Sequence, residues 1–294
     1  METIRKTIRR RFRIKNELLR HALAEFAGTA FLLLLGLGTV AQSVLSGQTK
    51  GDFFAINVAW AFTVAFAVYF STGVTTGHIN PAVSLAMLVL GNMKLLTFIV
   101  YVIAQVAGAF VGAAVVYLTY YEALNAFDNG TRYVTGELAT AGIFATYPQP
   151  YLSTLGGLID QIVGTAILLG GALAIIDKRN SKIPDYLGPL FFGLLVGVIG
   201  MCYGFNCGYA INPARDFGPR LFTYVAGWGH EVFSYRNYNW FWVPIVGPFI
   251  GGVLGAWIYK LFIGLHWPEE DVDEQTESAS CPVEAVKLIT YEKS

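Results

Sequence analysis

Two Asn-Pro-Ala triplets carry the most suggestive chemistry of the chain: Asn80-Pro81-Ala82, and Asn212-Pro213-Ala214 running straight into Arg215-Asp216. Asn caps a helix by accepting from backbone N–H groups, and Pro fits the first helical position. The Asn amide also has N–H donors, so it can offer a hydrogen bond to a passing neutral oxygen. Arg215 adds a fixed positive charge that favours hydroxyl oxygens and repels cations. Such groups can bind a polar atom without reacting with it. No nucleophile, metal-ligand spacing or acid–base pair accompanies them, so nothing supports an enzyme, a cofactor or a metal site.

The segments that position these groups are short. Each triplet opens an apolar stretch, 81–91 and 213–224, that reaches roughly 18 Å at ~1.5 Å per residue, about half of a ~30 Å hydrocarbon core. Longer, nearly uncharged runs flank them at 21–46, 53–74, 95–121, 155–176, 187–204 and 240–265. Each is near the ~20 residues that a spanning helix requires. The chain is 54% hydrophobic and 14% charged, with 32 glycines, which is too apolar for a typical soluble enzyme. These features predict an all-α membrane protein, with six transmembrane helices and two half-spanning re-entrant helices.

The halves repeat. Glu25-Phe26-Ala27-Gly28-Thr29-Ala30 matches Gln161-Ile162-Val163-Gly164-Thr165-Ala166, and Gly108-Ala109-Phe110-Val111-Gly112 matches Gly247-Pro248-Phe249-Ile250-Gly251. Three spans per half is an odd number, so the second copy enters the membrane from the opposite side. The repeat is inverted, and the two triplets meet at mid-depth.

The basic N-terminal tail, with Arg5, Lys6, Arg9, Arg10, Arg11, Arg13, Lys15 and Arg20, reads as a topology signal that keeps the N-terminus cytosolic, in preference to a nucleic-acid or anionic-lipid site. Lys178, Arg179 and Lys182 then face the same side. Asn129-Gly130-Thr131 is a glycosylation sequon in the outer loop, where modification and a plain turn are both open. Cys202 and Cys207 read as buried small apolar residues, and Cys281 as a reduced thiol in a cytosolic tail.

The segments Gly77-His78-Ile79-Asn80-Pro81-Ala82-Val83 and Gly208-Tyr209-Ala210-Ile211-Asn212-Pro213-Ala214-Arg215-Asp216 closely resemble the aquaporin family. Asp216, Gly204-Phe205-Asn206 and Ile143-Phe144-Ala145-Thr146-Tyr147-Pro148 resemble its aquaglyceroporin branch. The resemblance implies the aquaporin fold, a homotetramer with one pore per subunit, and passage of glycerol, water and other small neutral solutes such as urea and small polyols. It places a selectivity filter at Trp60, Gly200, Tyr209 and Arg215. Water-selective relatives usually have His where Gly200 stands, so glycine there widens the passage. Glu25 and His78 are either a pH gate at the inner mouth or a structural brace, and Gln161, the repeat mate of Glu25, lacks its charge.

The expected organisation is a basic cytosolic tail at 1–20, an aquaporin-like channel domain at 21–265 and an acidic cytosolic tail at 266–294. Within the channel domain, repeat one covers about 21–122, the outer loop about 123–154 and repeat two about 155–265. The expected partners are membrane lipid and the permeating solutes, with no nucleic acid, in a multi-pass protein of the plasma membrane. A water-selective aquaporin is the nearest alternative, and an ion-coupled secondary transporter, which also uses broken helices and inverted repeats, is one of a different class.

Overall fold

A bilayer interior offers no partner for free backbone N–H and C=O groups, so an apolar run must coil into a helix there. The computed structural model describes residues 2–268. Its helices are α1 (Glu2–Phe12), α2 (Glu17–Leu45), α3 (Phe53–Ser71), α4 (Pro81–Val89), α5 (Leu95–Thr119), α6 (Tyr121–Asp128), α7 (Thr154–Ile176), α8 (Gly188–Cys207), α9 (Pro213–Thr223), α10 (Glu231–Ser234) and α11 (Val243–Tyr259). Among the described residues, six helices are long and apolar enough to cross a membrane: α2, α3, α5, α7, and α8 and α11 with short 3₁₀ or π extensions. Polar side chains start several of them. Asn16 Oδ1 accepts from Leu19 N–H at 3.1 Å, Asp52 Oδ1 from Ala55 N–H at 2.9 Å and Ser153 Oγ from Gly156 N–H at 3.0 Å. The tail expected from 266 onward, with Cys281, lies outside the described residues beyond 268.

Glycine decides how closely the spans approach. A Cβ on Gly108 would fall 2.2 Å from the Phe26 carbonyl oxygen, and one on Gly112 would fall 2.6 Å from that of Ala30, so α5 lies backbone to backbone on α2. In the second half, Gly251 and Gly255 of α11 meet the carbonyls of Ile162 and Ala166 at 2.3 and 2.1 Å. No side chain fits at such distances. Because Phe26 corresponds to Ile162 and Ala30 to Ala166, the structural mates of Gly108 and Gly112 are Gly251 and Gly255. The match to Gly247 and Gly251 is therefore corrected by one helical turn. Glycines at 247, 251 and 255 share one spacing, so spacing alone could not choose among them.

Each half-helix packs on the last span of the other half. Gly218 of α9 would place a Cβ 2.8 Å from the Val106 carbonyl oxygen on α5, and Gly252 of α11 would place one 3.0 Å from that of Ala82 on α4. The two cysteines on α8 part company, since Cys207 is buried and Cys202 exposed. Five residues along a helix turn through about 140°, so the two cannot share a face. The expectation that both are buried is corrected for Cys202.

Candidate pore and its constriction

Asn80 and Asn212 stand in extended backbone at the starts of α4 and α9 and cap both helices, whose first-turn residues Pro81, Ala82, Pro213 and Ala214 are buried. Asn80 Oδ1 accepts from Ala82 N–H at 2.9 Å, and Asn212 Oδ1 accepts from Ala214 and Arg215 N–H at 3.0 and 3.2 Å. Each Nδ2 then donates across the midline, from Asn80 to the Ile211 carbonyl at 3.0 Å and from Asn212 to the Ile79 carbonyl at 2.9 Å. This reciprocal pair joins the half-helices by their positive ends. An amide has two N–H donors, so one on each Asn remains for a ligand. Both residues line a cavity of ≈ 580 Å³.

The backbone leading into each cap is strained. Ile79 has φ +43° and Ile211 has φ +41°, a left-handed conformation that β-branched residues avoid. Matching braces hold them. Glu25 Oε2 accepts from Ile79 N–H at 2.7 Å, and Gln161 Oε1 accepts from Ile211 N–H at 3.0 Å. The bracing is thus symmetric at its key bond despite the missing charge. Glu25 accepts three further hydrogen bonds, from Thr75 Oγ1 at 2.9 Å, His78 N–H at 3.0 Å and Gln105 Nε2 at 2.8 Å. Glu25 therefore meets the backbone of His78. The His78 ring turns to Ser84, with Nδ1 3.0 Å from its Oγ, and to the edge of Tyr101. These contacts favour the brace over the gate. Behind Gln161 lies Asp160, whose carboxylate accepts from Asn206 Nδ2 at 2.9 Å, Gln161 Nε2 at 3.2 Å and Cys207 Sγ at 3.2 Å.

Trp60, Tyr209 and Arg215 line the same cavity as the Asn pair. The Arg215 guanidinium lies 4.9 Å from the Trp60 ring centroid and donates from Nη1 to the Phe144 carbonyl at 2.9 Å. Adjacent aromatic and cationic walls suit a solute with one apolar and one hydroxyl edge. Gly200 does not line this cavity. Its part is indirect, because a Cβ there would fall 2.6 Å from Tyr209 Cζ and 2.0 Å from Asn57 Oδ1. The Tyr209 ring occupies the room that a side chain at 200 would take. Gly36 makes similar room for Trp60, with a Cβ position 2.3 Å from that ring.

Asp216 secures the loop that supplies Phe144. Its Oδ2 accepts from Thr146 N–H at 2.7 Å and Thr146 Oγ1 at 2.5 Å, while Oδ1 accepts from Arg220 Nε at 2.8 Å. Arg220 donates onward to the carbonyls of Thr146 at 2.7 Å and Val232 at 2.9 Å. At the other end the cavity reaches Lys178 and Asp185, an ion pair in the α7–α8 loop. Asn129 is exposed at the left-handed C-cap of α6, far from the site in sequence and in role.

Sequence reasoning missed Asn57, Asp160, Arg220 and the Phe144 carbonyl. Asp160 carried a signal, as an acid inside a spanning run, and Arg220 stands four residues after Asp216, which pairs them on one helix face. A backbone carbonyl has no such signature.

The family model described as Major intrinsic protein matches residues 13–259. Aquaporin-9 of Mus musculus is 47% identical over 284 residues, covering 97% of this chain and 96% of that protein. Aquaporin-10 of Homo sapiens is 47% identical over 257 residues, covering 87% of this chain and 85% of that one. Among solved structures, the aquaglyceroporin from Plasmodium falciparum superposes with a TM-score of 0.76 at 30% identity, over 84% of this chain and 98% of that chain. With paired capping asparagines, inverted half-helices and a family match over most of its length, the chain belongs to the major intrinsic protein family, the aquaporins.

Proposed function

We propose that this protein is a passive, bidirectional channel of the aquaglyceroporin kind. It conducts glycerol, water and other small neutral solutes such as urea, and it excludes ions and protons. The observation that carries this reading is that the rings of Trp60 and Tyr209 and the Arg215 guanidinium, which lies 4.9 Å from the Trp60 ring centroid, line one cavity. A polyol lays its carbon edge on the rings while its hydroxyls bond Arg215 and then the spare N–H groups of Asn80 and Asn212. Bonds of this strength are made and broken readily, as conduction requires. A water oxygen held as acceptor by both Asn amides, between two positive helix ends, cannot pass a proton along a continuous wire. The relatives named Aquaporin-9 and Aquaporin-10 and the similarity to an aquaglyceroporin support the same assignment.

In this reading both termini are cytosolic, the α6–α7 loop with Asn129 is extracellular and open to glycosylation, and four subunits assemble in the plasma membrane with a pore in each. The deciding experiment is stopped-flow swelling of vesicles containing the purified protein, with water, glycerol, urea and a larger polyol as osmolytes. Fast, unsaturated flux of glycerol as well as water is the expected result. Water flux alone would reassign the protein to the water-selective kind, and flux that collapses with a proton or sodium gradient would make it a coupled transporter.

A further inference from the structure

An isolated helix of 11 residues is marginal in water, yet every described side chain of α1 is exposed. A surface that covered its exposed apolar side chains would stabilise it. Ile4, Ile8 and Phe12 repeat at four-residue intervals and so share one face, and they are 65%, 54% and 73% exposed. Lys6 and Arg10 lie on the opposite side, where Arg13, Lys15 and Arg20 complete a cleft lined by basic residues. Arg20 Nη1 donates to the carbonyls of Ile14 and Lys15 at 3.4 Å each, which ties the linker to the start of α2. The linker of residues 13–16 spans at most ~14 Å, so α1 stays within reach of the headgroups where α2 enters the bilayer.

Apolar stripe and basic cleft together select the partner. An acidic polypeptide or a nucleic acid would neutralise the cleft but leave the stripe in water, whereas a neutral membrane would cover only the stripe. We propose that α1 lies in the headgroup layer with Ile4, Ile8 and Phe12 turned toward the acyl chains and the cleft closed on the phosphate of an anionic phospholipid. The site adds an anionic-lipid contact to a pore that has no electrostatic use for one.

The test uses the full chain in nanodiscs of phosphatidylcholine, with and without about one third phosphatidylserine, and reads amide hydrogen exchange across α1. Exchange should slow about thirtyfold in the anionic discs, and Arg10→Gln/Arg13→Gln should lose most of that protection. Ile8→Glu should lose it with the cleft intact. Glycerol flux in phosphatidylcholine vesicles should be unchanged in both variants, which separates this site from the channel. Equal exchange in the two discs would overturn the proposal. So would full protection in phosphatidylcholine alone, which would point to neutral lipid or to the chain's own acidic tail. Protection by inorganic phosphate equal to that by the lipid would make the ligand a free anion and overturn it as well. Nanodiscs carry the same lipid on both faces, so the result is independent of which side α1 occupies.

Discussion

Gly200 acts through what it allows Tyr209 to do. That ring packs against Gly200 and Gly204 of α8, so in the proposed pore a side chain at 200 must push the ring toward Arg215 and the pore axis. Gly200→His, and even Gly200→Ala, should lower glycerol permeability about tenfold more than water permeability in vesicle swelling. Gly200→Ala/Tyr209→Ala should recover glycerol flux, and a double variant as slow as the single one would show that Tyr209 is not the intermediary. The Tyr209 hydroxyl and Asn57 Oδ1 are both buried without a hydrogen-bond partner. Tyr209→Phe removes an unpaired polar group while keeping the ring, so glycerol flux should hold and thermal stability should not fall. Glu25 is the opposite case, with four donors converging on one carboxylate. Gln at that position turns an N–H₂ toward one backbone N–H and one side-chain donor, leaving donors unmatched, each at about 1–3 kcal/mol. Glu25→Gln should reduce thermal stability in detergent and slow every solute alike. If it instead alters only the pH profile of glycerol flux between pH 7.5 and 5.5, and His78→Ala does the same, the gate replaces the brace.

The elements differ in how openly the sequence displays them. Spanning helices and half-helices follow from apolar length and from Asn-Pro caps, and the structure ends each within a few residues of the expected place. Less visible is the α6–α7 loop, which reaches the pore through the Phe144 carbonyl and through main-chain bonds at Thr146. Contacts made by backbone atoms leave no mark on residue type, and Asp216 was readable only as a marker of the branch. Its structure gives it a task, because with Arg220 it forms a buried pair that clamps this loop to α9. Asp216→Asn breaks that pair and leaves Arg220 without a counter-charge, at a cost of about 3–5 kcal/mol. Purified protein should melt at a markedly lower temperature and lose glycerol flux, while Asp216→Glu, which keeps the charge, should lose less. On the opposite rim, partial burial alone would raise the Asp177 carboxyl, but hydrogen bonds from Arg179 and Tyr259 outweigh it and hold it below its ordinary value. The contribution of this tie between the α7–α8 loop and α11 is complete above the ordinary carboxylate value near ~4 and is lost as pH falls through the lowered one. Hydrogen exchange of the loop should therefore show no loosening between pH 7.5 and 5.5 once corrected for the intrinsic rate.

At the scale of the whole molecule, duplication and inversion make one electrostatic device from two modest ones. Each half-helix alone presents about half a positive charge at its N-terminus. Head to head, with Asn80 and Asn212 each bonded to the carbonyl before the other, the two ends add at a single depth. The strained residues Ile79 and Ile211 and their braces Glu25 and Gln161 exist in pairs for the same reason. The sequence displayed the duplication through its triplets and the Glu25–Gln161 match, but four-residue glycine spacing blurred the register by one turn. Arg215 breaks the symmetry. Its counterpart at the first triplet is Val83, so the fixed charge stands on one side of the midline only. Arg215→Val would restore the symmetry and divide the barrier into its two sources. The half-helix ends should still interrupt the proton wire, while the wall beside Trp60 would no longer repel a cation. A measurable sodium or proton leak is expected in vesicles bearing the variant, read with a pH-sensitive dye under an imposed potential, with glycerol flux retained within a few-fold. A folded variant with unchanged ion tightness would assign the whole barrier to the paired helix ends.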